Sequence, residues 1–145
     1  ESWRESELAP YRRLIADGDA EAIMIGHLIN RNLDGKYPAT LSGTTIKSLL
    51  RQKLGFTGLI ISDDMQMKAI TDHYGLEDAC CKALAAGVDL LIIGNNLVHD
   101  PAILKKVTSA VTNAVKRGDV SIQRIEEAYN HVQKFKKSRQ HYHES

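Results

Sequence analysis

Three short, almost uninterrupted apolar runs limit what this chain can fold into: residues 22–27 (AIMIGH), 58–62 (GLIIS) and 88–93 (VDLLII). Each lies between segments with helical periodicity. A strand that is apolar on both faces needs cover on both, and parallel sheets obtain that cover from crossover helices. The order of helix, three strand–helix units and a closing helix therefore predicts an α/β fold with a parallel sheet and right-handed crossovers.

The punctuation between these runs is readable. Residues 3–15 place Leu8, Tyr11, Leu14 and Ile15 at helical spacing and stop at Asp17-Gly18. An irregular loop, 30–41, holds Asp34-Gly35 and Pro38, and Asp34 reads as the residue that organises its turn. Ser42 is a candidate N-cap for a helix over 45–54, with Gly55 as its stop. Helical material follows over 65–86, interrupted near Tyr74-Gly75 and ended by Gly87. Pro101 suits the first turn of a helix reaching Lys116, with Gly118 past its end. Ser121 caps a last helix in which Ile122, Ile125, Ala128, Tyr129, Val132 and Phe135 line one face.

At 145 residues the chain has room for one domain. A closed (β/α)₈ barrel needs about 250 residues, so three strand–helix units mean part of a barrel or a small three-layer sandwich. Residues 1–145 are read as one partial domain. Nineteen Lys and Arg against 18 Asp and Glu give no field that would favour nucleic acid. The Lys134, Lys136, Lys137 and Arg139 cluster reads as a solvated last helical turn that complements the helix dipole. No apolar run approaches the roughly 20 residues of a bilayer span, and no signal peptide is visible. Cys80 and Cys81 are helix neighbours that point about 100° apart, a poor geometry for a mutual disulfide. Two thiols packed as small hydrophobes favour a reducing, cytoplasmic setting.

The second apolar run ends in Asp63-Asp64. Charge at the carboxyl end of a buried parallel strand is costly unless paired or used, and that end is where α/β folds build active sites. Three readings compete. Both aspartates could cap the following helix; this suits Asp64, which directly precedes the helical run, better than Asp63, which continues the strand in phase with Leu59 and Ile61. A signalling receiver domain is excluded, because the next strand ends Ile93-Gly94-Asn95 without a phosphoacceptor aspartate. A carboxylate nucleophile, as in retaining glycosidases, is the third.

Leu54-Gly55-Phe56-Thr57-Gly58, the strand, and Ser62-Asp63-Asp64-Met65-Gln66-Met67-Lys68-Ala69-Ile70 resemble the nucleophile region of glycoside hydrolase family 3, in its bacterial β-N-acetylglucosaminidase branch. The likeness continues upstream in Glu7-Leu8-Ala9-Pro10-Tyr11, Ile23-Met24-Ile25-Gly26-His27, Leu33-Asp34 and Tyr37-Pro38-Ala39-Thr40-Leu41-Ser42. Downstream it includes Ala85-Ala86-Gly87-Val88-Asp89-Leu90-Leu91 and Arg124-Ile125-Glu126-Glu127-Ala128. The resemblance implies the last part of a TIM-like barrel that acts on terminal β-linked N-acetylhexosamine with retention of configuration. It implies Asp63 as nucleophile, which an aspartate near the reference pKa of about 3.9 serves in ionised form at neutral pH.

His27 ends the first strand on the same rim. It is either a hydrogen-bonded core histidine or, as the family pattern favours, a contact in the sugar pocket. Met67 would be core at its spacing, yet the family pattern sets it against the sugar subsite. Asp89 enters the third strand at its amino end, the stability face of a barrel. His73, His99 and Asp72 lack a metal-ligand spacing, and no cofactor is implied.

The branch also carries an upstream Lys-His-x-Pro-Gly-His segment whose loop supplies a histidine acid/base, together with arginine and aspartate contacts to the sugar. None of these motifs is in this chain. The expectation is a C-terminal half-barrel, inactive alone because general acid catalysis is worth about 10²–10⁴-fold. Its exposed edges should drive self-association or pairing with the N-terminal half. A non-catalytic α/β module that binds a sugar or a partner is the competing class, and a phosphotransfer module a weaker third.

Overall fold

A computed structural model describes residues 4–96 and 99–140. Three strands, β1 (Ala22–Ile25), β2 (Leu59–Asp64) and β3 (Leu90–Ile92), form one parallel sheet in the order β1-β2-β3. A 3₁₀ turn (Glu5–Leu8) and α1 (Ala9–Ala16) precede the sheet. A helix over Thr44–Lys53 joins β1 to β2, α2 (Lys68–Tyr74) and α3 (Leu76–Ala86) join β2 to β3, and α4 (Ile103–Arg117) and α5 (Ile122–Gln140) follow. The predicted parallel β/α architecture is present, as three units of a TIM-like barrel.

The helices cover one face of the sheet. Ile25, Ile60 and Val88 pack there with Ile46, Phe56, Met65, Ile70, Cys80 and Ala83. Burying the Val, Ile, Phe and Met side chains among them stabilises by about 1.5–3 kcal/mol each. Gly87, at φ +121°, lets the chain turn from α3 into β3 where a Cβ would meet Ile46 Cγ2 at 2.8 Å. On the other face Met24, Ile61 and Leu90 lie abreast in register, and Met24 and Leu90 are 58% and 40% exposed. Among the described residues this face is open at Met24 and Leu90, while Leu59, in phase with Ile61, is buried, so the apolar strands are covered only in part on this side. Beyond β1, Leu28 and Ile29 are also exposed, and an apolar groove of about 420 Å³ runs along the free β1 edge between Leu8, Met24, Leu28, Leu49 and Leu54.

At the amino end of the sheet Asp89, its side chain fully buried, gathers the last helix onto the barrel. Its Oδ2 accepts from Arg51 Nη2 (2.8 Å) and the Ile60 N–H (3.0 Å), and its Oδ1 accepts from Arg124. Burial works to depress the Arg51 pKa, and the Asp89 charge opposes it. Arg51 also donates to the Phe56 and Gly58 carbonyls, and Arg124 to those of Leu84 and Val88. Asp89 thus sits where the sequence assigned it a structural role.

Several boundaries differ from the sequence expectation, each for a local reason. The first helix opens as a 3₁₀ turn before Pro10, and its predicted start at Trp3 lies outside the described residues. The helix expected over 45–54 is π-wound, closing Leu54 N–H onto the Leu49 carbonyl five residues back, with the Ser42 hydroxyl accepting the Thr45 N–H. Asp64 is not a helix N-cap. β2 runs through it, Met65 and Gln66 make a turn, and α2 starts only at Lys68. The face predicted for α5 is narrower than its apolar spacing, because the buried positions are Arg124 and Ala128 while Ile122 and Tyr129 stay exposed.

Candidate active site

Asp63 and Asp64 stand at the carboxyl end of β2, the central strand, half-buried. The ladder explains how two successive residues can both serve the rim. Ile61 pairs with Leu90 and Asp64 with Ile92, so β2 carries one extra residue over this stretch, a β-bulge. Bulges break strand alternation and re-aim side chains; burial still alternates from Ile60 to Asp63, with Ile60 and Ser62 buried and Ile61 and Asp63 half-buried. The buried Ser62 repairs the gap by accepting the Ile92 N–H on its hydroxyl (2.9 Å).

The two carboxylates are held differently. Asp63 Oδ1 accepts the N–H of Asp64 (2.8 Å), and no other bond to its carboxylate is found among the described residues. Asp64 Oδ1 accepts the N–H groups of Gln66 (3.0 Å) and Gly94 (3.1 Å), which binds it to the turn ahead and to the segment after β3. Asp64 Oδ1 is therefore engaged twice and Asp63 Oδ1 once, and Oδ2 of each has no hydrogen bond among the described residues.

His27 and Met67 come to the same place. His27 Nε2 lies 2.9 Å from the Asp64 carbonyl, so that nitrogen carries the proton. Its Nδ1 lies 2.8 Å from the hydroxyl of Thr40, a fully buried residue. With both nitrogens engaged, only the carbon edge of the ring is free for a ligand. Met67 precedes α2, donates its N–H to the Asp64 carbonyl (3.0 Å), and is 42% exposed. Asp34 organises the loop after β1 as expected, accepting from the Ser42 hydroxyl and the Lys36 and Tyr37 N–H groups; the Ser42 bond first, then the Lys36 bond, lowers its pKa.

Four participants were not singled out from the sequence. Gln66 accepts the Asn95 N–H, Asn95 is left-handed at φ +50° and braces the Asp100 backbone, and Gly94 meets Asp64. Thr40 fixes His27. Gly94-Asn95 directly after an apolar run was the available signal, since glycine at a strand end marks close approach of other atoms. Among the described residues no group of three or more His, Cys, Asp or Glu could hold a metal ion.

A parallel β/α layer with a carboxylate on the carboxyl rim of its central strand has the make-up of a sector of a TIM-like barrel, a class that builds its sites on that rim. Residues 1–135 match the Glycosyl hydrolase family 3 N terminal domain, and the chain belongs to that family. A beta-hexosaminidase of Tolumonas auensis is 41% identical over 106 residues, 71% of this chain and 31% of that protein. A beta-N-acetylglucosaminidase structure from Paenibacillus sp. str. FPU-7 superposes with TM-score 0.82 at 34% identity, over 90% of this chain and 24% of that one. The Thermotoga maritima beta-N-acetylglucosaminidase gives TM-score 0.79 at 29% identity, over 89% and 28%. The chain thus spans 24–31% of the length of these relatives.

Proposed function

We propose that this chain carries the nucleophile of a retaining glycosidase that removes terminal β-linked N-acetylhexosamine. Asp63 attacks the anomeric carbon and forms a glycosyl–aspartate ester, while the aglycone oxygen leaves with the bonding electrons and takes up a proton. Water then attacks the same carbon and gives its proton to the group that had protonated the aglycone, the ester C–O bond breaks, and the carboxylate is restored. The observation that carries this reading is the half-buried Asp63 at the strand end, with one oxygen fixed by an N–H and the other unbonded among the described residues. The names of the relatives, beta-hexosaminidase and beta-N-acetylglucosaminidase, support the sugar class. The exposed Met67 thioether lines the sugar subsite, and His27 offers the sugar its ring edge.

The proton donor comes from the remainder of the barrel, so this chain alone is inactive towards glycosides with poor leaving groups. The uncovered Met24–Leu90 face and the groove on the β1 edge pair with the N-terminal half, or with a second copy when that half is missing. The test is hydrolysis of a chromogenic β-N-acetylglucosaminide by this chain with and without its N-terminal half. Activity should require both pieces and vanish in Asp63→Asn. An inactive pair, with sugar binding unchanged in Asp63→Ala, would instead make this a non-catalytic sugar-binding module.

A further inference from the structure

The bulge poses a positional problem. It leaves part of β2 between Ile61 and Asp64 outside the regular ladder, so strand pairing alone does not fix the direction of Asp63. The bonds that do so converge on the next residue. The Asp64 carbonyl accepts from His27 Nε2 on the β1 side and from the Met67 N–H in the turn. The Asp64 carboxylate accepts from Gly94 on the β3 side and from Gln66 in the turn. The Asp64 N–H itself donates to Asp63 Oδ1 at 2.8 Å, so any rotation of that peptide is passed to the Asp63 carboxylate.

Two further features show that this contact is built. Thr40, which holds His27 Nδ1, is fully buried, and its hydroxyl also lies 2.9 Å from the Gly26 carbonyl at the end of β1. A Cβ on Gly94 would stand 2.6 Å from Asp64 Oδ2, although Gly94 is not among the glycines with positive φ. That glycine answers to the carboxylate beside it and not to its own backbone.

We propose that Asp64 is a positioning residue for Asp63: His27 and Gly94 clamp it between the three strand ends, and its peptide aims the attacking carboxylate. The inference rests on Asp63 being the nucleophile. It gives the second aspartate of the pair a task distinct from both helix capping and sugar contact.

The experiment uses the complete barrel, this chain with its N-terminal half, and a ring-fluorinated β-N-acetylglucosaminyl fluoride. In this reagent Asp63 displaces fluoride, which leaves with the C–F electrons, and the slowed second step traps the ester. Peptide mass spectrometry locates the label, and the concentration dependence separates the maximal labelling rate from the apparent affinity. Asp64→Ala and Gly94→Ala should each lower the maximal rate by roughly 10²-fold, the cost of an ångström-scale misplacement, with affinity unchanged. Asp64→Asn, which retains the acceptor oxygen, should recover most of the rate. The Asp64→Ala/Gly94→Ala double variant should be no slower than Asp64→Ala, because the clash goes with the carboxylate. Label on Asp63 at the wild-type rate in Asp64→Ala overturns the positioning role alone, as does a loss confined to affinity. Wild-type label on a different residue overturns the nucleophile reading and this one with it. Circular dichroism and thermal melts on each variant identify misfolding, and a slow Asp64→Asn with a wild-type melt also counts against the clamp.

Discussion

Asp89→Asn is the perturbation that most directly tests how this fold is held. The side chain is fully buried and faces two guanidinium groups that are themselves largely buried, Arg51 at 18% and Arg124 at 8% side-chain exposure. Asparagine fills the same volume but carries no charge, and it turns one acceptor oxygen into a donor facing donors. Breaking a buried ion pair from one side costs about 3–5 kcal/mol. The carbonyls of Phe56, Gly58, Leu84 and Val88 still receive the two arginines, which puts the expected loss near the lower end, about 3 kcal/mol. At roughly 2–4 °C per kcal/mol for a chain approaching 150 residues, the melting temperature should fall by about 10 °C. Urea unfolding followed by far-ultraviolet circular dichroism, at fixed protein concentration, measures it. Lys82→Gln removes a pair with Asp78 of the same chemistry on the exposed surface of α3 and should cost less than about 0.5 kcal/mol. An Asp89→Asn loss below about 1 kcal/mol would refute the clamp. Asp89 sits at the opposite end of the sheet from Asp63, so the folded fraction of this variant should still label Asp63 at the wild-type rate.

Other expectations follow from local environments. Asp34 has its pKa lowered by Ser42 and the Lys36 N–H, so its contribution to stability is complete above the unfolded value of about 3.9 and is lost as pH falls through the lower folded value. Urea midpoints should therefore drop more steeply below about pH 4 in the wild type than in Asp34→Asn, and parallel curves would contradict this. Burial raises the Cys80 thiol pKa to about 12 and raises that of Cys81 too; Cys80 is the more enclosed. Iodoacetamide at pH 8 should modify Cys81 first, with the difference disappearing in urea, as read by peptide mass spectrometry. Gly87→Ala forces a Cβ onto Ile46 at a left-handed φ and should cost on the order of 1–3 kcal/mol, whereas Gly35→Ala, with open space around it, should stay within about 0.5 kcal/mol.

The parallel β/α order was legible because long-range cover is encoded locally: strands apolar on both faces, separated by helical spacing, leave few ways to bury themselves. Family likeness then added the nucleophile assignment, which one apolar run ending in two aspartates could only raise. What remained hidden shares one physical origin. The bulge between Ile61 and Asp64, the π-wound 44–53 helix and the Asp64–Gly94 contact are all settled by neighbours distant in sequence. An aspartate before a helical run has the composition of an N-cap whether or not the chain turns there. Here it does not, because Met65 donates its N–H to the Ile92 carbonyl and buries its side chain completely, which keeps Asp64 in the ladder and delays the start of α2. The consequence reaches the chemistry. Had Asp64 capped the helix, its carboxylate would have been used on α2, and β1 and β3 would have had no shared anchor at the rim. Because the helix starts three residues after Met65, the same carboxylate binds the β3 side, its carbonyl binds the β1 side, and its N–H is left to hold Asp63.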